Sequence, residues 1–155
     1  MKKTHEASDR ELVITRLFDA PRDLVFDIWT DPKQIVHWWG PDGFTTTISV
    51  MDVRPGGVWQ LVMHGPDGID YPNKIEFIEV IKPERLVYKH RGEKDFEPVN
   101  FHVTILFEKQ GNKTKLTMRM LFESTEEFNR VNDKYGAVEG AHQMMARLDH
   151  YLAKF

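Results

Sequence analysis

Cysteine is absent from the sequence. That removes disulfides, thiol nucleophiles and cysteine-type zinc sites together, and it fits a reducing compartment. Long apolar runs are absent too, the longest being a few residues where roughly 20 are needed for a helix to cross a bilayer. Two lysines open the chain but no apolar segment of a secretory leader follows them, so a cytoplasmic protein without a membrane partner is expected. Neither sign of charge dominates: 21 basic and 24 acidic residues are mixed along the chain, for a formal net charge of −3. Without a basic face, nucleic acid is not an expected partner. The sequence has no internal repeat, no phosphate-cradling glycine loop and no Ser-His-Asp signature. No two histidines fall at His-x-x-x-His spacing, and His142 and His150 stand two helical turns apart, roughly 12 Å. One metal ion cannot bridge that, so neither metal nor cofactor is expected.

What is present describes an ordinary folded domain. The 155 residues are 41% hydrophobic and 29% charged, enough for one domain with a real core. Residues 1–9 read as a polar, flexible lead and residues 10–155 as the domain. Glu11 to Phe18 is rich in strand formers, and Ala20-Pro21 ends it. Leu24, Val25, Ile28 and Trp29 recur at helical spacing. Asp31-Pro32 starts a second short helix carrying Ile35, Val36, Trp38 and Trp39, and Gly40-Pro41 stops it.

Six strand-like segments follow: Phe44 to Val53, Val58 to His64, Asp70 to Ile81, Leu86 to Arg91, Asn100 to Glu108 and Lys115 to Phe122. Turn residues separate them, Gly111-Asn112 being the tightest, and successive hairpins imply an antiparallel meander. Trp59, Leu61 and Met63 share one face of their strand. Phe101, Val103, Ile105 and Phe107 oppose His102, Thr104 and Leu106. Ser124 with Glu127 reads as a capping box for a long final helix, Thr125 to Phe155, with the stripe Phe128, Val131, Tyr135, Val138, Met145, Leu148, Leu152. Gly136 and Gly140 inside it predict a bend, a break or a close backbone approach. The order β-α-α-β-β-β-β-β-β-α predicts an α+β fold, a curved antiparallel sheet of six to seven strands wrapped around the last helix. A gap between them, lined by apolar groups, would be a binding site.

Several local signatures, in the same order, resemble the START-like or SRPBCC superfamily with its helix-grip architecture. Within it the chain is similar to the bacterial branch named after the activator of the 90-kDa heat-shock-protein ATPase. The matching residues are Phe18-Asp19-Ala20-Pro21, Trp29-Thr30-Asp31-Pro32, Trp38-Trp39-Gly40-Pro41, Arg54-Pro55-Gly56-Gly57 and Ile78 to Tyr88. The Gly140…Leu148…Leu152 pattern completes the set. The resemblance implies the helix-grip fold and leaves the ligand open, because one fold hosts many functions. Relatives often place tryptophan directly after the glycine matching Gly140 and leucine four residues later; here those positions are Ala141 and Met145. A methyl in place of a ring frees volume, and methionine adapts to whatever fills it, so a larger and more plastic pocket is expected.

The expected function is binding of a small hydrophobic or aromatic molecule between the sheet and the last helix, in stress response or in sequestering a metabolite. Trp39, Trp59, Leu61, Met63, His102, Ala141, Met144 and Met145 are the candidate cavity residues. Large aromatics and an aliphatic strand face are core in most proteins, but in this architecture core and cavity wall can be one concave surface. The alternatives are a polyketide cyclase-like enzyme using His102, His90 or a carboxylate among Asp70, Glu76, Glu79 and Glu97, or a chaperone-modulating interaction module. Strand alternation places such carboxylates more simply on the solvent face. The interaction module would need a docking face of about 1,000 Å² or more instead of a cavity. A monomer or weak dimer is expected.

Overall fold

A computed structural model describes residues 9–92 and 101–155 of the chain. Strand β1 (Glu11–Phe18) is followed by two short helices, α1 (Arg22–Thr30) and α2 (Pro32–Ile35). Six strands come next: β2 (Thr45–Met51), β3 (Val58–His64), β4 (Asp70–Ile81), β5 (Arg85–Gly92), β6 (Phe101–Gln110) and β7 (Lys113–Phe122). Helices α3 (Thr125–Tyr135) and α4 (Ala137–Leu152) close the chain. All seven strands form one antiparallel sheet in the order β1-β7-β6-β5-β4-β3-β2. The meander therefore runs from β2 to β7, and β1 returns to cover the β7 edge. The expectations for residues 1–8, Glu97 and Asn100 fall outside the described residues.

Alternation sets which face is buried. Along β6, Phe101, Val103, Ile105 and Phe107 are buried, and along β7 Leu116, Met118 and Phe122 are. The opposite face carries the charges and faces solvent. Register slips at Ile48/Val50 and at Phe77/Glu79 mark bulges, which bend a strand and sharpen its twist, and so help curve the sheet. The concave face takes the helices.

The turn between β1 and α1 shows why the Phe18-Asp19-Ala20-Pro21 segment reads as it does. Phe18 is wholly buried, and the buried Thr114 hydroxyl donates to the Ala20 carbonyl at 2.7 Å. The Trp-rich segment beyond α1 is packed by edges rather than stacks. Trp29 meets Trp38 at 4.9 Å and Trp39 at 6.3 Å between ring centroids, and Trp39 meets Trp59 at 4.8 Å. All four tryptophans thus belong to one continuous cluster.

The single long final helix predicted from the stripe is two helices. Ser124 caps α3 by accepting from the Glu127 backbone N–H at 3.0 Å, as the capping box predicts. Gly136, at φ 65° and ψ 44°, ends α3 in the left-handed conformation. Its N–H returns to the Asn132 carbonyl at 2.8 Å, while the Asn132 side chain accepts from Val138 N–H and so caps α4. The break shifts the phase of the apolar stripe. Val131 is buried before it; after it Ala141, Met144, Met145, Leu148 and Leu152 are, while Tyr135 is 39% exposed. Val138, on the predicted stripe, is not among the buried residues.

No atom lies within 4 Å of a Cβ built on Gly136, so a side chain there meets only the backbone penalty of the left-handed region. Gly136→Ala is expected to cost about 1 kcal/mol and lower the melting temperature by about 2–4 °C, with Gly136→Asn costing less. Thermal denaturation followed by circular dichroism reads both.

Candidate ligand cavity

The concave face is not filled by its helices. Between the sheet and the α3–α4 pair lies a cavity of about 360 Å³. Its sheet side is built by Met63 of β3, Tyr71 to Asn73 of β4, Tyr88 and His90 of β5, Phe101 and Val103 of β6, and Met118 and Met120 of β7. The helices supply Val131, Ala137, Gly140, Ala141 and Met144, and the turn after α2 supplies Trp39 to Pro41. Lys134, Tyr135 and Gly136, exposed residues at the helix break, form the mouth.

Of the eight residues singled out from sequence, Trp39, Met63, Ala141 and Met144 stand in this wall. Trp59, Leu61 and Met145 do not line it. They are almost wholly buried in the core, where Trp59 lies against Trp39, Phe77 and Tyr88. His102 requires correction, because it is exposed on the outer face of β6 between the buried Phe101 and Val103. His142 is exposed as well, since the phase shift at Gly136 turns it away from the core. Ala141, though buried in the core, also borders the cavity.

The polar feature in the wall is a pair that sequence reading half missed. Ile75 pairs with His90 and Asn73 with Gly92, which makes Asn73 and His90 diagonal neighbours on one face. Asn73 Nδ2 donates to the Tyr71 carbonyl at 3.0 Å, so Oδ1 is the end turned towards His90 Nε2, 2.6 Å away. The amide orientation assigns the tautomer: Nε2–H donates and Nδ1 keeps its lone pair. The ring stacks on Phe101 with centroids 4.6 Å apart. His90 retains some accessible surface because it faces the cavity, yet protein surrounds it closely enough for burial to push its pKa down to about 4. Burial also raises the Tyr88 phenol, and a hydrogen bond to Asp67 raises that of Tyr71. At neutral pH the imidazole and both phenols are therefore uncharged.

His64 is placed elsewhere. On the outer face it bridges Thr47 Oγ1 at 2.8 Å and Asp70 Oδ1 at 2.7 Å, away from the cavity. Three of the carboxylates considered from sequence also lie away from the cavity wall: Asp70 and Glu76 are exposed, and Glu79 pairs with Arg85 at 2.6 Å. Among the described residues no group of three or more His, Asp or Glu could hold a metal ion.

A residue unremarked in sequence holds the helix-side wall in place. Arg147 Nη1 lies 3.0, 2.9 and 2.9 Å from the carbonyl oxygens of Trp39, Gly40 and Pro41 and shares its two N–H groups among them. One turn back, Gln143 Oε1 accepts from Asp42 N–H at 3.0 Å. A further turn back, a Cβ on Gly140 would stand 3.1 Å from Pro41 Cγ, so the bare backbone of α4 is what admits the turn. Burial lowers the Arg147 pKa and Asp42 nearby partly offsets this, and a guanidinium remains a cation throughout.

A curved seven-stranded sheet around a C-terminal helix, with a cavity between them, defines the protein as a helix-grip α+β domain of the START-like, or SRPBCC, class. Residues 19–153 match the family model described as Activator of Hsp90 ATPase homolog 1-like protein. The chain belongs to that family. Among solved structures it is similar to a protein from Arthrobacter aurescens studied by NMR, at 27% identity and a TM-score of 0.89 over 98% of this chain and 91% of that one. A crystal structure from Mycobacterium smegmatis matches at 29% identity and a TM-score of 0.85, over 99% and 98%. The AHSA1 protein from Silicibacter pomeroyi shares the fold, at 21% identity and a TM-score of 0.75 over 92% and 97%. No curated protein matches the chain.

The buried imidazole makes stability depend on pH. The folded pKa, about 4, lies below the ordinary 6.5, so the unfolded chain binds the proton first as pH falls. The contribution is undiminished above about 6.5 and is lost progressively between 6.5 and 4, to an extent on the order of 2–3 kcal/mol. Over that interval His90→Phe is expected to show a shallower fall in urea-midpoint stability than the unmodified protein. Equal slopes would contradict the buried-neutral assignment. Arg147→Met is expected to cost about 2 kcal/mol and to change tryptophan emission, because the turn carrying Trp39 loses its donor.

Proposed function

We propose that the protein binds a small hydrophobic or aromatic molecule in the cavity between the sheet and α3–α4. The observation that carries this reading is the combination of volume and lining. About 360 Å³ lies at the lower end of the roughly 300–1,000 Å³ typical of small-molecule sites. The wall is mostly methionine, aromatic and small aliphatic side chains, with Asn73 and His90 as a polar pair within it. A molecule of about 15 heavy atoms, at roughly 0.4 kcal/mol each, would bind with about 6 kcal/mol, a dissociation constant in the tens of micromolar.

An acid–base role for the cavity is less well supported. The imidazole in the wall is a weakened base with a pKa of about 4, Asp70 and Glu76 are exposed, and Glu79 is paired with Arg85 outside the wall. A general base works best with a pKa near the operating pH. The proposal is therefore a container and not a cyclase.

A thermal-shift assay and intrinsic fluorescence, run with naphthalene derivatives and with decanoate, test this. Tenfold excess over the dissociation constant should raise the melting temperature by about 3–6 °C and perturb tryptophan emission through Trp39. Ala141→Trp should fill the cavity, weaken binding at least tenfold and leave the melting temperature unchanged or higher. No response to any probe would overturn the reading and direct attention to a protein partner.

A further inference from the structure

The hydrogen-bond pattern in the wall goes further than size and greasiness. We infer that the cavity selects a neutral aromatic ligand bearing a hydrogen-bond donor, a phenol-type hydroxyl or ring N–H, which it places on Nδ1 of His90. This rests on the cavity-binding reading above and narrows it to a chemical class.

The constraint on His90 begins at the Tyr71 carbonyl. That carbonyl takes the Asn73 amide N–H, which leaves Oδ1 to accept from His90 Nε2. With its Nε2 proton committed, a neutral imidazole can offer only an acceptor at Nδ1. Nδ1 has no hydrogen-bond partner among the described residues. Stacking on Phe101 fixes the plane of the ring, and so the direction in which that lone pair can be met. A ligand donor would therefore find a prepositioned acceptor whose orientation needs no further ordering.

The same arrangement discriminates against acids. A carboxylate brought to a neutral acceptor in an apolar wall is desolvated without a compensating partner. The charged residue of the described wall is Lys134, at the exposed mouth and 5.5 Å from the Tyr135 ring centroid, so an acid would be steered to the opening rather than to His90. An apolar isostere fills the space but leaves Nδ1 unsatisfied and dry. Sites built to bond a hydroxyl reject such analogues.

The test compares 2-naphthol with 2-methylnaphthalene, similar in shape and differing in the donor, by fluorescence titration. The unmodified protein should bind 2-naphthol at least about tenfold more tightly. His90→Phe should keep its affinity for 2-methylnaphthalene and reduce the preference to about threefold or less. Asn73→Asp gives Nε2–H an anionic acceptor, favours the imidazolium and converts Nδ1 to a donor, so it should lose the 2-naphthol preference and gain affinity for 2-naphthoate. Nitrogen-15 NMR of the unmodified protein gives a readout that does not depend on any variant folding. The Nδ1 resonance of His90 should move with 2-naphthol and hold still with 2-methylnaphthalene. Equal affinity for the two probes, or an unmoved Nδ1 resonance with 2-naphthol bound, overturns this inference and leaves the container reading standing. Failure of both probes to bind overturns both.

Discussion

Much of this structure depends on α4 reaching across the domain to hold the turn after α2. Arg147 supplies donors to three consecutive carbonyls of that turn, and Gln143 accepts from the residue that follows. Those carbonyls belong to irregular backbone beside an apolar core, where an unpaired polar group costs roughly 1–3 kcal/mol. Holding them fixes Trp39, and Trp39 is both an end of the tryptophan cluster and a piece of the cavity wall. Gly140 makes the contact possible, since a side chain there would press on Pro41. Packing, polar satisfaction and cavity shape thus meet in one small region.

The break at Gly136 is the second constraint. A straight helix from Ser124 onward would carry its stripe past the sheet in one phase and turn Ala141 and Met144 partly aside. Left-handed backbone at Gly136 lets α3 and α4 each present its own face, and the gap between two helices and a curved sheet becomes the mouth. The cavity is a consequence of topology as much as of side-chain size. Ala141 then matters because it adds no bulk where two elements already diverge.

Function in this fold follows from what lines the gap. Methionines at 63, 118, 120 and 144 make much of the wall deformable, while the Asn73–His90 pair and its Phe101 stack are held in one geometry. A soft wall with one rigid polar point is suited to recognising a class of molecules by a shared group rather than a single compound by its outline.

The alternation of the strands, the capping of α3, the Gly111-Asn112 hairpin and the helix-grip order could all be read from the sequence, because each rests on local periodicity or on turn chemistry. The alternation itself was legible, His102 standing opposite Phe101 and Val103, but not which of the two sets faces inward; in the structure Phe101 and Val103 are buried and His102 is exposed, while His90 shares parity with the buried Leu86 and Tyr88. Only the tertiary structure decided which inward residues meet space and which meet one another. Trp59 and Leu61 face inward as expected yet are buried in the core, Trp59 against Trp39. The phase of α4, the reach of Arg147 over about 107 residues and the diagonal pairing of Asn73 with His90 depend on distances between elements, and a one-dimensional pattern carries no distances.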